Sequence, residues 1–314
     1  MKRGFRGLPA SLRGRDVVSI TDLSREELDE LFRVARAMEE RPSDYYGLLR
    51  GRILAVLFFE PSTRTRLSFE AAMRRLGGDV IGFSGVEGTS VMKGESFEDT
   101  VRTVEGYCDA MVVRHPEEGS AARAASLVEV PVINGGDGGG EHPTQAMVDL
   151  YTMWRFKGHI DGLRVALIAD VAHARAVNSL VLALSMYRDV EVYVAVPGLR
   201  LRRDVEEGAV RRGLKVFELS PREAVRRADV LYVTRVQRER LASEEEYARL
   251  RSAYRVDLDL LREARDDLLI LHPLPRREEL PVEVDSHRSA KYFEQAKLGV
   301  PVRMALLSMV MGAV

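Results

Sequence analysis

Five consecutive residues, Ser62-Thr63-Arg64-Thr65-Arg66, bring hydroxyl and guanidinium groups to one point directly after an apolar run. Where a strand leads into a helix, the first backbone N–H groups of the helix and its dipole attract an anion. Hydroxyl groups donate to phosphate oxygens, and arginine can bind a phosphate through two parallel hydrogen bonds. We expect Ser62 to cap the helix. The segment is interpreted as a phosphate site rather than as a capped helix with solvated arginines.

The segments around this site alternate between strand-like and helix-like patterns. Residues 52–60 contain a continuous apolar run, which is typical of a strand buried on both faces of a parallel sheet. Ser24-Arg25-Glu26-Glu27 has the pattern of a capping box, and residues 63–76 predict a helix that ends at two glycines. Further strands are predicted at residues 79–83, 109–113, 131–133, 163–168, 190–194, 214–217, 230–233 and 268–271. A glycine-rich turn is expected at residues 135–140 and a long helix at residues 142–156.

Two successive runs of strand and helix predict an α/β protein with two domains. Each domain is expected to hold a largely parallel sheet flanked by helices, and the 314 residues suit two domains. The boundary is predicted near residues 142–160, where one helix links the halves. The apolar stretch at residues 301–314 has helical spacing and needs a partner to bury it.

Composition limits the class of function. A formal net charge of −1 gives no reason to expect a nucleic-acid partner, and the longest uncharged run, residues 176–187, is too short to cross a bilayer. The basic N-terminus is not followed by an apolar run, so no secretory signal is predicted. The single cysteine, Cys108, cannot form an internal disulfide, and no His/Cys/Asp cluster has metal-ligand spacing. We therefore expect a cytoplasmic enzyme without a metal.

The polar composition suggests a thermophilic source. The chain has two Asn, three Gln and only six Lys among its 47 basic residues, while 30% of its residues are charged. Few thermolabile residues and many charges are common in thermophile proteins. We hold this as a hypothesis.

Residues 58–66, Phe-Phe-Glu-Pro-Ser-Thr-Arg-Thr-Arg, resemble the carbamoyl-phosphate signature of the aspartate/ornithine transcarbamoylase family. Four further segments agree with that family in order: residues 90–96, 113–116, 142–145 and 272–275. The resemblance extends from about residue 16 to the C-terminus. Residues 234–240 and His272-Pro273-Leu274-Pro275 are similar to the aspartate branch, whereas the ornithine branch normally has Cys where Pro273 stands.

The resemblance implies transfer of the carbamoyl group from carbamoyl phosphate to the amine of L-aspartate. The amine attacks the carbonyl carbon, a tetrahedral intermediate forms and phosphate leaves, without a cofactor; N-carbamoyl-L-aspartate is the other product, in an early step of de novo pyrimidine biosynthesis. The family also implies that the C-terminal helix packs back on the first domain. Residues 1–147 with about 296–314 would then form the carbamoyl-phosphate-binding domain, and residues 148–295 the L-aspartate-binding domain.

The resemblance also assigns roles residue by residue. The residues implied in catalysis are Arg64, Thr65, Lys93, Arg114 and His142. Those implied in binding carbamoyl phosphate are Ser62, Thr63, Arg64, Thr65, Arg114, His142, Gln145, Pro273 and Leu274. Those implied in binding aspartate are Lys93, Arg175, Arg235, Gln237, Leu274 and Pro275. The Leu274–Pro275 bond is expected to be cis, and His142 is expected to act as a neutral donor to the carbonyl oxygen.

The charges of the second-half residues agree with an acidic acceptor. Arg175, Arg235 and Gln237 suit the two carboxylates of aspartate. Ornithine is a cation and would require carboxylates around its side-chain amine. A transcarbamoylase that acts on ornithine or on another amino acid remains the alternative.

Two further roles come from the family. Glu60 is expected to pair with Arg175 and Arg240 when the domains close over bound aspartate. Ser90 and Lys93 lie on a glycine-containing loop that enters the active site of the neighbouring subunit in the family, which implies a homotrimer with shared active sites. Regulatory chains are a further partner that the family allows.

Residues 169–175, Ala-Asp-Val-Ala-His-Ala-Arg, depart from the family pattern, because many relatives have Gly before the Asp and Lys or another polar residue where Ala172 stands. The same turn lacks the G-x-G-x-x-G fingerprint, which argues against a dinucleotide-dependent oxidoreductase. A non-catalytic scaffold is disfavoured because unused buried arginines would be costly.

Overall fold

A computed structural model describes residues 12–168, 170–196, 198–235 and 255–314. It divides into two compact units. Unit 1 comprises Met1–Thr144 and Leu298–Val314, and unit 2 comprises Gln145–Lys297. The chain therefore leaves unit 1 once, forms unit 2 and returns to unit 1 at its end.

Unit 1 contains a four-stranded parallel sheet with strand order β2-β1-β3-β4. Its strands are β1 (Ile53–Phe58), β2 (Asp79–Ser84), β3 (Ala110–His115) and β4 (Val132–Asp137). Its helices are α1 (Arg25–Glu40), α2 (Arg64–Arg75), α3 (Phe97–Glu105) and α4 (Ser120–Ala125).

Unit 2 contains a five-stranded parallel sheet with strand order β7-β6-β5-β8-β9. Its strands are β5 (Arg164–Ile168), β6 (Glu191–Val194), β7 (Lys215–Glu218), β8 (Val230–Val233) and β9 (Leu269–Leu271). Its helices are α6 (Arg175–Leu184), α7 (Arg203–Arg211), α8 (Pro221–Arg227) and the short α9 (Leu258–Leu261). Helix α5 (Pro143–Lys157) begins in unit 1 and continues in unit 2, and α10 (Tyr292–Val310) begins in unit 2 and ends in unit 1.

Apolar side chains packed on one face of the central strands stabilise the sheet of unit 1. Ala55 and Leu57 on β1 are fully buried against Met111 and Val113 on β3. The edge strand β2 approaches β1 closely at Gly82, which has a φ of +137°. A Cβ atom there would lie 2.1 Å from the carbonyl oxygen of Val56, so only glycine fits.

The C-terminal helix packs on unit 1, as expected from the family. Most side chains of α10 beyond Pro301 are buried, and the backbone N–H of Gly14 donates to the carbonyl of Val310. The Arg303 guanidinium is also buried and lies 5.0 Å from the centre of the Phe69 ring on α2. These contacts bury the apolar stretch that the sequence left without a partner.

The predicted fold class is confirmed, with one turn misplaced. The glycine-rich turn was expected from residue 135, but β4 continues to Asp137 and pairs with His115 on β3. Gly135 makes this continuation feasible, because a Cβ there would lie 3.0 Å from Cγ1 of Val112. The capping box at Ser24 and Glu27 is formed as predicted. In the part of the chain that the structure describes, no helix has both the length and the apolar character of a membrane span.

Candidate active site

The residues predicted for the first half of the site gather at one edge of the sheet of unit 1. All four strands are parallel, so their carboxyl ends share that edge. Residues 60–65 follow β1, and the loop with Lys93 follows β2. Arg114 lies near the end of β3, and His142 follows β4 just before α5.

Helix α2 begins with an uncapped first turn. Thr63 occupies the position before the helix with dihedral angles that are already helical (φ −78°, ψ −58°), and no side chain caps the helix. The expected cap by Ser62 is therefore wrong: a capping side chain requires an extended residue at the position before the helix, and here that residue is the helical Thr63. The uncapped turn suits an anion site, because no side-chain oxygen competes for its N–H groups.

Arg64 and Arg66 differ in their surroundings, although both belong to the donor-rich segment. Arg66 donates through Nε to Glu70 at 2.6 Å. Arg64 forms no ion pair with any carboxylate in the described ranges, and burial lowers the pKa of Arg64 from its high ordinary value. A guanidinium with so high an ordinary pKa stays protonated at neutral pH. Arg64 is therefore the cation of this segment that suits an external anion.

Thr65 and His142 contact each other inside unit 1. The Thr65 hydroxyl lies 3.2 Å from Nε2 of His142, and both residues are buried. The neighbouring Glu141 accepts hydrogen bonds from the hydroxyl of Ser19 and the backbone N–H of Ile20. The contact unites two residues that the family resemblance assigns to the same carbonyl oxygen.

Arg114 is a largely buried cation held on two sides. One terminal nitrogen donates to the carbonyl of Gly135 at 3.1 Å, and the other lies 2.8 Å from Oε1 of Glu60. Glu60 therefore contacts a cation of its own unit. Its expected pairing with Arg175 and Arg240 on aspartate binding stays a prediction, and Arg240 lies outside the described residues.

Ser90 and Lys93 are exposed on a short 3-10 helix, Ser90–Lys93, that ends at Gly94 with a φ of +93°. Within the described ranges, Lys93 makes no ion pair. An exposed lysine at the same sheet edge as Arg114 suits the predicted loop that projects toward a neighbouring subunit.

Three neighbouring strands of unit 2 end beside one another, in the order β5-β8-β9. The loop after β5 leads to Arg175 at the start of α6, and Arg235 follows β8. The backbone N–H of Asp170 donates to Oγ1 of Thr234 at 3.0 Å, which joins these two loops. The Asp170 carboxylate in turn lies 2.8 Å from Nδ1 of His173. The departure of this loop from the family pattern thus leaves both arginines at neighbouring strand ends, whereas Gln237 lies outside the described residues.

The turn after β9 has a specific backbone geometry. The Leu274–Pro275 bond is cis, as expected, and Leu274 has a φ of +58°, in the left-handed region that non-glycine residues rarely adopt. The backbone N–H of Leu274 donates to Nδ1 of His272 at 2.8 Å, and Nε2 of His272 lies 3.0 Å from Oε1 of Glu279. Since a backbone N–H can only donate, Nδ1 accepts and Nε2 carries the proton that it donates to Glu279.

Glu279 is suited to this role as an acceptor. Burial raises the pKa of Glu279, but hydrogen bonds from His272 and from the backbone N–H of Arg277 outweigh burial and hold that pKa below its ordinary value. The carbonyls of Pro273 and Leu274 accept no hydrogen bond from the described residues. Both are thus available to a ligand that donates.

Among the described residues, no group of three or more His, Cys, Asp or Glu side chains could hold a metal ion. The site consists of cations, hydroxyls, amides and backbone groups. Such a site can bind anions and stabilise negative charge that develops on an oxygen.

Two family models match successive parts of the chain. The carbamoyl-P binding domain of aspartate/ornithine carbamoyltransferase matches residues 15–155, and the Asp/Orn binding domain of the same family matches residues 161–310. The chain belongs to the aspartate/ornithine carbamoyltransferase family. The resemblance stated from the sequence is confirmed.

Individual relatives agree with the family models. The aspartate carbamoyltransferase catalytic subunit of Pyrobaculum neutrophilum is 54% identical over 301 residues, which cover 95% of this chain and 99% of the relative. The catalytic subunit of Thermococcus kodakarensis is 51% identical, and the match covers 96% of this chain and 98% of the relative. Aspartate transcarbamoylase from Trypanosoma cruzi, solved in complex with carbamoyl phosphate and aspartate, has a TM-score of 0.90 at 37% identity and covers 96% and 97%. The catalytic subunit from M. jannaschii has a TM-score of 0.87 at 43% identity and covers 95% and 98%.

Sequence reasoning missed a buried hydrogen-bond network in this carbamoyltransferase family member. Asp149 on α5 accepts from Gln145, Tyr232 and Gln295, which come from three different elements. Only Gln145 was predicted as a site residue. The signal in the sequence was Asp149, a charged residue within the mostly apolar helix α5. A charged side chain is rarely fully buried without partners.

Proposed function

We propose that this protein transfers the carbamoyl group of carbamoyl phosphate to the amine of L-aspartate. The observation that carries the proposal is the edge of unit 1 where the uncapped start of α2, Arg64 and the Thr65–His142 contact lie with Arg114. This arrangement supplies cations for a phosphate and donors for a carbonyl oxygen. The solved relative that contains carbamoyl phosphate and aspartate supports these ligands.

Each part of the first site has a task in the reaction. Ser62, Thr63, Arg64 and Thr65 hold the phosphate and neutralise its charge as it leaves. Thr65, Arg114 and His142 donate to the carbonyl oxygen, on which negative charge develops when the amine attacks. Gln145 and the carbonyls of Pro273 and Leu274 accept from the carbamoyl NH₂ group. No covalent intermediate with the protein is needed, so binding and orientation supply the catalysis.

The acceptor is an acidic amino acid. Arg175 and Arg235 follow neighbouring strands of unit 2 and offer two guanidinium groups to the two carboxylates of aspartate, with Gln237, Lys93, Leu274 and Pro275 completing the set. The relatives named above are aspartate enzymes, and no observation favours the ornithine alternative. In this proposal residues 1–147 with 296–314 bind carbamoyl phosphate, and residues 148–295 bind aspartate.

The assembly is a homotrimer in which Ser90 and Lys93 complete the active site of a neighbouring subunit. The exposed position of Lys93 supports this arrangement. The enzyme would work in the cytoplasm, in pyrimidine biosynthesis. Glu60 would exchange Arg114 for Arg175 and Arg240 when the units close over aspartate.

The deciding experiment offers carbamoyl phosphate with aspartate, ornithine or other amines to the protein and to its Arg235→Ala variant. We expect turnover with aspartate alone and its loss in the variant. Arg211→Ala, which removes an exposed arginine of the same unit, serves as the matched control and should keep full activity. Turnover with another amine would overturn the acceptor, and a lack of turnover with every amine would overturn the proposed reaction.

A further inference from the structure

Asp149 is a fully buried carboxylate that collects hydrogen bonds from three side chains of unit 2. Its Oδ1 accepts from Nε2 of Gln145 at 2.7 Å and from Nε2 of Gln295 at 2.6 Å. Its Oδ2 accepts from the hydroxyl of Tyr232 at 2.8 Å. Three donors around one carboxyl group stabilise its ionised form, which can only accept.

The neighbouring tyrosine has the properties expected beside a negative charge. Tyr232 is fully buried, and burial together with the charge of Asp149 raises the pKa of Tyr232 well above its ordinary value. Its hydroxyl therefore stays protonated and remains a donor.

An acceptor at this position fixes the orientation of two amide side chains. The NH₂ group of each glutamine must point to Asp149, so the carbonyl oxygen of each points away from it. Oε1 of Gln295 accepts the backbone N–H of His272 at 2.9 Å. Oε1 of Gln145 accepts from no donor among the residues that the structure describes, and the residue is half-buried.

The same network holds the turn at residues 272–275. In this turn the carbonyls of Pro273 and Leu274 accept no hydrogen bond from the described residues. Gln295 fixes the backbone of His272, and Nδ1 of His272 fixes the backbone N–H of Leu274. The Asp149 carboxylate therefore supports both Gln145 and this turn. The outward-facing groups connected to it are all acceptors: Oε1 of Gln145 and the carbonyls of Pro273 and Leu274.

We propose that Asp149 is a positioning residue that makes this subsite accept hydrogen bonds only, and thereby selects a transferred group that carries an NH₂. The inference rests on the proposed function and adds a specificity device to it. A site built to receive N–H donors rejects an analogue without them, because its acceptors are left unpaired. Acetyl phosphate, which has a methyl group in place of the NH₂, is such an analogue.

The test compares kcat/KM for carbamoyl phosphate and acetyl phosphate, with aspartate as acceptor, by phosphate release. Asp149→Asn keeps the shape but supplies an amide, so Gln145 can turn its own NH₂ toward the substrate. We expect the preference for carbamoyl phosphate to fall at least ~10-fold. Tyr232→Phe, the matched control, removes one hydrogen bond to Asp149 without touching either glutamine and should keep the preference. An equal loss for both substrates in Asp149→Asn would overturn the proposal.

A double variant shows whether Asp149 acts through Gln145. Gln145→Ala alone should lower the preference, and adding Asp149→Asn to it should lower the preference by much less than in the wild-type background. Independent effects would contradict the proposed route. Because the preference is a ratio measured on one protein sample, a change in the folded fraction does not alter it.

A second measurement covers the case in which Asp149→Asn does not fold. The chain has only three glutamines, so selective ¹⁵N labelling gives three side-chain amide signals, of which Gln145→Ala identifies one. We expect the Gln145 amide protons of the wild-type protein to exchange slowly with solvent, because Asp149 holds them. Fast exchange of the Gln145 amide protons would overturn the inference even if the enzyme is active. If exchange is slow but no carbamoyl transfer is detected, only the proposed function is overturned.

Discussion

The hydroxyl oxygen of Thr65 lies 3.2 Å from Nε2 of His142, although 77 residues separate the two in sequence. Their exposed fractions are 7% and 6%, so water has little access to the pair. The contact joins the first turn of α2 to the start of α5. A hydroxyl and an imidazole held in a dry environment stabilise charge on an oxygen that binds beside them far better than solvated groups do.

Removal of the Thr65 hydroxyl should therefore impair the chemical step. In Thr65→Val we expect kcat to fall by about 10²-fold, the range found when one oxyanion donor is removed. Thr65→Ser keeps the hydroxyl and should retain most of the rate. Steady-state kinetics with aspartate and carbamoyl phosphate would measure both variants, and an unchanged kcat in the valine variant would show that this hydroxyl does not contact the reacting oxygen.

Shared active sites can be tested with two variants that are each inactive. Lys93→Ala and Arg114→Ala remove groups that we assign to different subunits of the same site. When equal amounts of the two variants are mixed, dissociated and allowed to reassociate, the mixture should regain roughly a quarter of the wild-type active sites. In randomly assembled trimers, that fraction of the sites receives both an intact Lys93 and an intact Arg114. If Lys93 served the site of its own subunit, the mixture would stay as inactive as its components.

Acid should weaken unit 1 through His115. The ring packs 5.0 Å from the centres of Phe59 and Phe97, and its Nδ1 accepts the backbone N–H of Glu117. Burial lowers the pKa of His115 below its ordinary value of 6.5. The unfolded chain then binds a proton at His115 more readily than the folded chain does. The contribution of His115 to the free energy of unfolding is therefore fully present above about pH 6.5, and it is lost as the pH falls through the lower pKa of the folded state.

The expected result is a smaller loss of unfolding free energy between pH 7 and pH 5 in His115→Gln than in the wild-type protein. Denaturant titrations at several pH values measure it. His159→Gln, which changes an exposed histidine, is the matched control and should follow the wild-type curve. An identical pH dependence in all three proteins would contradict the assignment to His115.

Thermal unfolding should occur above the mesophile range. The relatives from Pyrobaculum neutrophilum and Thermococcus kodakarensis come from thermophiles. Shortly after α9, Glu263 pairs with both Arg222 and Arg226 of α8. We expect a Tm above about 65 °C, the upper part of the mesophile range. Glu263→Gln should lower it further than Glu40→Gln, which breaks the exposed pair of Glu40 with Arg36. Calorimetry would decide, and a Tm near 50 °C would end the hypothesis of thermophilic origin.

The sequence predicted the sheet-forming segments and the position of the donor-rich segment after β1 because their signals are local. An apolar run such as residues 53–58 is buried wherever a parallel sheet forms, and the donor-rich segment follows it directly. The Asp149 network could not be predicted in full, because two of its donors, Tyr232 and Gln295, are 83 and 146 residues from Asp149 in the chain. The helix start at Arg64 was misjudged by one residue, since serine and threonine at neighbouring positions are both good caps.

The return of the chain to unit 1 at its end affects how the protein is made. Unit 2 is a continuous segment, Gln145–Lys297, whereas unit 1 needs Leu298–Val314 to bury its core. During synthesis Leu298–Val314 leaves the ribosome after all of unit 2, so unit 2 has its full sequence before unit 1 does. Unit 1 can therefore complete its folding only after unit 2 has been synthesised.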